Sequence, residues 1–330
     1  MTMSMFSGLE GFYDEALAEN GISAKSVVPF LQAVDDNPGA AFYLADRLRE
    51  ARFGKKVDAC SIVNAKSGNC PEDCAFCAQS AHHNTDAEVY ALLPEEMILA
   101  AARTAYENGV RRFCIVTSGR GIDSEADLGA IASCIIKIKA MGISPCATLG
   151  SLGRSQLKRL KDAGLNRFHH NIETSRSFFP NVCTTHSYDE RVETLQTAHN
   201  LGLSLCSGGI IGMGEDMSDR AEMALALRDI GVDSVPLNFL MPIPGTPLEG
   251  AGNVTPIEAL KTIALFRFIL PDKELRVCGG RMRAFRDLHP MIFAAGANGF
   301  LMGDYLTKTG RDYELDIRML SDLGLTVSYE

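Results

Sequence analysis

No stretch of apolar residues in this 330-residue sequence approaches the roughly 20 that a helix needs to cross a bilayer. A helical membrane span is therefore not expected. Positive charge is also scarce, with 32 Lys and Arg against 41 Asp and Glu and a net charge of −9. That balance opposes broad attraction to nucleic acid or an anionic membrane, and it leaves small-molecule chemistry as the expectation. The opening segment, Met1 to Glu19, is acidic and lacks a basic stretch followed by an apolar one. A secretory signal is not expected, and the reducing cytoplasm is the expected location. No low-complexity tract or charged linker divides the chain, and no GxGxxG turn follows the first candidate strand. A dinucleotide site thus lacks its signal, and no catalytic triad or carboxylate pair stands out.

What the sequence does hold is apolar material in a repeating order. Hydrophobic residues make up 46% and charged residues 22%, the balance of a chain able to bury a core. Short β-rich runs alternate with amphipathic helical patterns. The candidate strands are Val57–Asn64, Arg111–Ser118, Ile143–Leu149, Arg167–Glu173, Leu203–Ile210, Ser234–Leu240, Glu274–Gly279 and Gly299–Gly303. Helical patterns between them cover Pro94–Asn108, Asp127–Met141, Ser155–Ala163, Tyr188–Leu201, Ser218–Ile230, Pro256–Leu270 and Arg286–Ala295. Several end at a glycine (Gly109, Gly142, Gly164, Gly202, Gly231), where a left-handed cap costs least. Strand–helix alternation requires a parallel sheet with helical crossovers. Eight units close a (βα)8 TIM-type barrel, and an open doubly wound sheet is the alternative with the same alternation. Residues 1–55 read as an N-terminal helical extension with helices over Phe12–Glu19 and Val27–Arg49. Residues 56–325 read as the barrel and 326–330 as a C-terminal tail.

Ten cysteines in a long chain without an export signal point to metal binding or reactivity rather than disulfides. The loop after the first strand carries Cys70, Cys74 and Cys77 as C-x3-C-x2-C. Thiolates hold iron–sulfur clusters, and a [4Fe–4S] cube held by three leaves one iron open to chelate a substrate. Zinc is the alternative, with His82 or His83 as the nearby fourth ligand. Four more cysteines fall within candidate strands: Cys114, Cys146, Cys206 and Cys278. Inward residues of a barrel stack in layers, so cysteines at similar heights on several strands converge in space. Arg276 and Cys278 are two apart and share a strand face. Cys134 and Cys60 read as packing, and Cys183 as a loop residue without assigned function. Strand four ends in His169-His170-Asn171-Ile172-Glu173-Thr174-Ser175, rich in polar groups where barrel active sites assemble.

The run Asn64-Ala65-Lys66-Ser67-Gly68-Asn69-Cys70-Pro71-Glu72-Asp73-Cys74-Ala75-Phe76-Cys77-Ala78-Gln79-Ser80 closely resembles the biotin synthase family of radical S-adenosylmethionine (SAM) enzymes. The resemblance continues through almost all of residues 55–325. It implies sulfur insertion into dethiobiotin to give biotin, with SAM on the open iron of a [4Fe–4S] cluster held by Cys70, Cys74 and Cys77. It further implies an auxiliary cluster, usually [2Fe–2S], held by Cys114, Cys146, Cys206 and Arg276 and serving as the sulfur source. Where the family usually has a small residue such as serine, this chain has Cys278. That thiol replaces Arg276 as ligand, allows a larger cluster, or only fills space.

By resemblance, Phe76, Asn171, Glu173, Arg191 and Ile210 contact SAM, with Arg191 on its carboxylate, and Asn171 and Asn238 contact substrate. Asn238 offers both a donor and an acceptor to the cyclic urea. Glu173 stands where some members carry aspartate. The resemblance also implies an electron donor such as flavodoxin or ferredoxin, and a homodimer. Barrels of the hydrogenase-maturation and pyrrolysine pathways lack the set Cys114, Cys146 and Cys206.

Overall fold

The computed structural model describes residues 8–306 and 310–328. Residues 1–7 of the expected N-terminal extension and 329–330 of the tail lie outside them. Three helices precede the barrel: α1 (Glu10–Ala18), α2 (Val27–Asp36) and α3 (Pro38–Phe53). The sequence pattern suggested one helix over Val27–Arg49, but the chain breaks at Asn37-Pro38. Proline cannot continue a helix, and the Asn37 side chain accepts from the Ala40 N–H at 3.2 Å to cap a new one.

The barrel strands are β1 (Lys56–Lys66), β2 (Arg112–Thr117), β3 (Ser144–Thr148), β4 (Arg167–His169), β5 (Ser204–Cys206), β6 (Gly209–Ile211), β7 (Ser234–Phe239), β8 (Glu274–Val277) and β9 (Gly299–Leu301). All neighbours are parallel, β5 and β6 share one position, and β9 pairs back onto β1. That pairing closes the sheet and rules out the open doubly wound form. Helices α4 (Glu95–Glu107), α5 (Glu125–Ala140), α6 (Arg154–Asp162), α7 (Tyr188–Asn200), α8 (Met217–Ile230) and α9 (Pro256–Ile269) form the crossovers. The five glycines expected at helix ends all have positive φ, from 73° to 104°.

Three departures from the sequence pattern have local causes. The fourth and fifth strands are shorter than expected because Gly208 and Gly209 run against neighbouring backbone. A Cβ at Gly208 would lie 2.0 Å from the Pro236 carbonyl oxygen, and one at Gly209 2.1 Å from that of Glu173. The helix expected over Arg286–Ala295 is interrupted, with α10 (Arg281–Phe285) before it and α11 (Met291–Ala294) beginning after Pro290. After α12 (Tyr313–Asp322), residues Thr326–Ser328 form β10, paired with Lys56–Asp58 of β1. Asp58 pairs with Gly299 on its other edge, so β10 extends the sheet below β2.

Side chains alternate across the barrel wall. Phe113, Ile115, Ala147, Phe168, Leu205, Val235, Leu275 and Phe300 face the helices and are essentially buried. The opposite parity, which includes Cys60, Cys114, Cys146, Cys206 and Arg276, faces a lumen cavity of about 410 Å³.

Candidate active site in the barrel lumen

The loop after β1 folds back on itself. Cys70 N–H donates to the Gln79 carbonyl at 3.0 Å, Ala81 N–H to the Cys70 carbonyl at 2.8 Å, and Cys77 N–H to the Cys74 carbonyl at 2.9 Å. Gly68 and Asn69 take positive φ to start the turn. These bonds bring Cys70, Cys74 and Cys77 to the mouth of the lumen. A hydrogen bond with Cys183, with burial, raises the Cys74 thiol, and burial pushes Cys77 up to about 11. The histidines that would complete a zinc site are committed to backbone. His82 Nε2 meets the Pro71 carbonyl and His83 Nδ1 the Cys77 carbonyl, each at 2.9 Å. Among the described residues, only Cys74, Cys183 and His186 bring three potential ligand atoms within 4.8 Å of one another. Neither His82 nor His83 joins the mouth cysteines in such a set, so the zinc alternative has no ligand set here.

Above the barrel strands, the polar residues of the β4 segment form one network. Glu173 has φ 69°, a left-handed conformation rare for a side chain of its size, and is held there by backbone bonds to Gly208 and Ile210. Asn171 Oδ1 accepts from Gly208 N–H at 3.1 Å and lies 2.8 Å from His169 Nε2, while its Nδ2 donates to Glu173 at 3.3 Å. Arg191, from α7, donates to the Asn171 carbonyl at 2.9 Å and approaches Glu173 at 3.6 Å. Burial raises the Glu173 carboxyl even against the Arg191 charge. Burial likewise lowers His169 to about 4, leaving a neutral imidazole over the lumen.

Asn238 spends half its amide on the protein: Nδ2 donates to the Gly209 carbonyl at 3.2 Å, and Oδ1 accepts from Gly279 N–H at 2.9 Å. One N–H and one lone pair remain for a ligand. Phe76, Ile210 and Asn238 all line the same cavity as Asn171, Glu173 and Arg191. Every site residue expected from the sequence therefore borders one space.

Deeper in the lumen, strand register sets two layers. The floor carries Asp58, Arg112, Arg167 and Glu274. Arg167 donates to Glu274 at 2.5 Å, and Arg276 donates to Asp58 at 2.8 Å, Glu274 at 2.7 Å and Ser234 at 3.1 Å. Above this floor, Cys114 lies opposite Cys146 and His169 opposite Cys206. Cys60 is the residue that sequence reasoning missed. It is not strand packing: it faces the lumen, where it forms a small buried cluster with Cys278 and Leu301. The neighbouring Cys278 thiol, with the Arg276 charge, lowers the Cys60 thiol against the effect of burial. Its period-two neighbour, the charged Asp58, was the available signal that this face of β1 points inward. Cys183 also exceeds its expected loop role, since it contacts Cys74. Cys134 is core, as expected, on α5.

The thiol sets suit clusters better than single ions. No three described cysteine sulfurs lie within 4.8 Å of one another. A tetrahedral ion with bonds of about 2.3 Å requires sulfurs about 3.8 Å apart. Wider sets of thiols fit multi-iron groups.

Comparison with curated proteins gives the relationship. The chain is 54% identical over 288 residues to a biotin synthase of Geotalea uraniireducens, covering 87% of this chain and 88% of that one. It is 51% identical over 323 residues to a biotin synthase of Geobacter sulfurreducens, covering 96% and 98%. The chain belongs to the biotin synthase family. Family models agree: residues 65–227 match the radical SAM superfamily and 236–326 the biotin and thiamin synthesis associated domain. Among solved structures, a methylornithine synthase superposes with TM-score 0.80 at 17% identity, covering 96% of this chain and 97% of that one. An [FeFe]-hydrogenase maturase superposes with TM-score 0.82 at 16% identity, covering 99% and 76%. At such identities these likenesses concern the fold. No helix among the described residues is long and apolar enough to cross a membrane.

Proposed function

We propose that this member of the biotin synthase family inserts sulfur into dethiobiotin to form biotin, using the lumen as its reaction chamber. The observation that carries this reading is the stacking of two thiol sets in one cavity, with a polar belt between them. Cys70, Cys74 and Cys77 at the mouth hold the [4Fe–4S] cluster that binds SAM, and the lower cysteines surround the auxiliary cluster. When bound, the first cluster with SAM supplies a 5′-deoxyadenosyl radical that takes hydrogen from an unactivated carbon, and the auxiliary cluster supplies sulfur.

The chain's own residues orient and shield. Arg191 presents a guanidinium to the SAM carboxylate, a charge-assisted pairing. Asn171 and Glu173, locked to each other and to the β6 backbone, line the space shared by SAM and substrate, with Ile210 and Phe76 against the adenosyl group. The remaining N–H and lone pair of Asn238 read the substrate's cyclic urea. The apolar strand wall keeps water from the radical.

Resemblance assigns a [2Fe–2S] auxiliary cluster to Cys114, Cys146, Cys206 and Arg276, whereas Cys60 and Cys278 give this lumen five thiols. It also assigns a flavodoxin or ferredoxin as electron donor, a homodimer and a cytoplasmic location, with residues 56–325 as the catalytic barrel and 1–55 as its extension. The test is anaerobic reconstitution with iron and sulfide, followed by SAM, reductant and dethiobiotin. Formation of both 5′-deoxyadenosine and biotin is expected. 5′-Deoxyadenosine without biotin would leave a SAM-cleaving enzyme with a different substrate.

A further inference from the structure

Cys183 stands beside the mouth loop, and the proposed reaction gives it no task. It comes from the segment between β4 and α7, yet its sulfur lies 3.1 Å from the carboxylate of Asp73, 110 residues earlier in the chain. Hydrogen bonds clasp the two loops on either side of the paired cysteines. Ala75 N–H donates to the Val182 carbonyl at 2.8 Å, and the Asp73 carboxylate accepts from the Thr184 and Thr185 N–H groups at 2.9 and 3.2 Å. Asp73 and Ala75 bracket Cys74 in sequence, as Val182 and Thr184 bracket Cys183. The clasp holds the Cys74 and Cys183 sulfurs and a ring nitrogen of His186 within 4.8 Å of one another.

This trio is a poor site for a metal ion. His186 Nδ1 is engaged by Glu72, and its Nε2 accepts from Arg191. An imidazole held that way has no lone pair left for a metal. What remains is a pair of buried thiols from distant parts of the chain. A disulfide needs a sulfur–sulfur bond of about 2.05 Å, which side-chain rotation can supply once the backbones are clasped. Of the two, Cys74 lines the lumen cavity and Cys183 does not, so a small oxidant entering at the mouth meets Cys74 first.

We propose that Cys183 is the resolving thiol of Cys74. When the mouth loop carries no cluster, a peroxide oxidises Cys74 and Cys183 captures it as a disulfide that a dithiol reverses. In the first step the Cys74 thiol and hydrogen peroxide give Cys74 sulfenic acid and water. The Cys183 sulfur then attacks the Cys74 sulfur, the S–O bond breaks, and the Cys183 proton leaves with the hydroxide as a second water. Two electrons pass from the thiol pair to the peroxide, and the dithiol returns them. The disulfide stops Cys74 short of sulfinic acid, the irreversible stage. It also withholds one of the mouth thiolates from iron until reducing conditions return. That consequence rests on the reading of Cys70, Cys74 and Cys77 as cluster ligands.

The test uses the full-length chain, stripped of metal by a chelator and reduced. It is treated anaerobically with hydrogen peroxide, alkylated, and digested with trypsin without reduction. Cleavage after Lys66, Arg103, Arg176 and Arg191 leaves Cys70, Cys74 and Cys77 on one peptide, 67–103, and Cys183 on another, 177–191. A Cys74–Cys183 disulfide joining the two is expected, located by fragmentation and lost with dithiothreitol, in Cys74→Ser and in Cys183→Ser. In excess peroxide, Cys183→Ser should accumulate sulfinic acid at Cys74 and lose the iron uptake that dithiothreitol restores to wild type. A 177–191 peptide that is alkylated throughout, or joined through Cys70 or Cys77, overturns the inference. So does a Cys183→Ser chain whose Cys74 dithiothreitol recovers as fully as in wild type. Should Cys183→Ser fail to fold, as judged by circular dichroism, the wild-type disulfide map decides alone. A mapped Cys74–Cys183 disulfide in a chain whose reduced, untreated form takes up no iron at the mouth would overturn the cluster reading and leave the thiol pair standing.

Discussion

Arg191 donates from Nε to His186 Nε2 at 2.8 Å, and the other ring nitrogen of His186 meets the buried Glu72 carboxylate at 2.5 Å. Glu72 lies between Cys70 and Cys74. The bridge therefore ties the arginine proposed for the SAM carboxylate to the loop proposed for the [4Fe–4S] cluster. With Nδ1–H directed to Glu72, Nε2 is fixed as the acceptor that orients the guanidinium.

His186→Leu removes both bonds and should weaken SAM binding by roughly 3–10-fold, corresponding to about 0.5–1.5 kcal/mol for one net hydrogen bond. His186→Gln can still donate and accept, and should recover most of the loss. Calorimetric titration of the reconstituted protein with SAM checks both variants. Equal affinities for the Leu and Gln forms would reduce His186 to packing.

Cys74→Ala should abolish SAM cleavage while sparing lumen iron, because a cube retained by two thiolates is weakly held. The assay is 5′-deoxyadenosine formation alongside iron quantitation. Undiminished 5′-deoxyadenosine would sink the assignment of the mouth cysteines.

Much of this arrangement was legible in the sequence because it is carried by short-range pattern. Period-two runs, glycine-capped helices and C-x3-C-x2-C each occupy a few consecutive residues, and together they specify a barrel with a thiolate loop at its mouth. What was not legible depends on register. Cys60 reads as packing until β1 is seen pairing with β9, which puts Cys60 level with Leu301 and beside Cys278. His186 and Cys183 lie in a loop of no regular period, and their approach to Cys74 depends on Asp73. That carboxylate accepts from the Thr184 and Thr185 N–H groups at 2.9 and 3.2 Å, a contact spanning over a hundred residues. The shortening of β4 and β5 was hidden for a related reason. It follows from where the Pro236 and Glu173 carbonyls sit, and neither residue neighbours Gly208 in sequence.

Asn238→Ala should weaken dethiobiotin binding by about 1–3 kcal/mol, the cost of leaving a buried polar partner unsatisfied. The same change frees Gly279 N–H and the Gly209 carbonyl, so a thermal melt should accompany the titration. Dethiobiotin affinity measured with SAM saturating decides the matter. No change there, with or without a lower melting temperature, would assign Asn238 to strand-end structure alone.

Glu274 links the lumen floor to pH. Burial by itself would raise its pKa, but the charges of Arg276 and Arg167 outweigh that and hold its carboxyl below the usual range. The unfolded chain takes up the Glu274 proton near the ordinary value of about 4.3. The native state resists protonation until lower pH, so the stabilisation is fully present above the unfolded pKa and is lost as pH falls toward the folded one. Glu274→Gln keeps an acceptor but removes the charge between two buried guanidinium groups. It should cost about 1–3 kcal/mol at neutral pH, the range for a compromised charged hydrogen bond. The deficit relative to wild type should narrow as pH drops below about 4.3, where protonation of Glu274 in the unfolded chain begins to offset the charge's contribution to the native state. Urea melts of both proteins at neutral and acid pH, with clusters absent, measure the difference directly. A deficit that stays constant across that range would mean the floor carboxylate is not ionically coupled to Arg167 and Arg276.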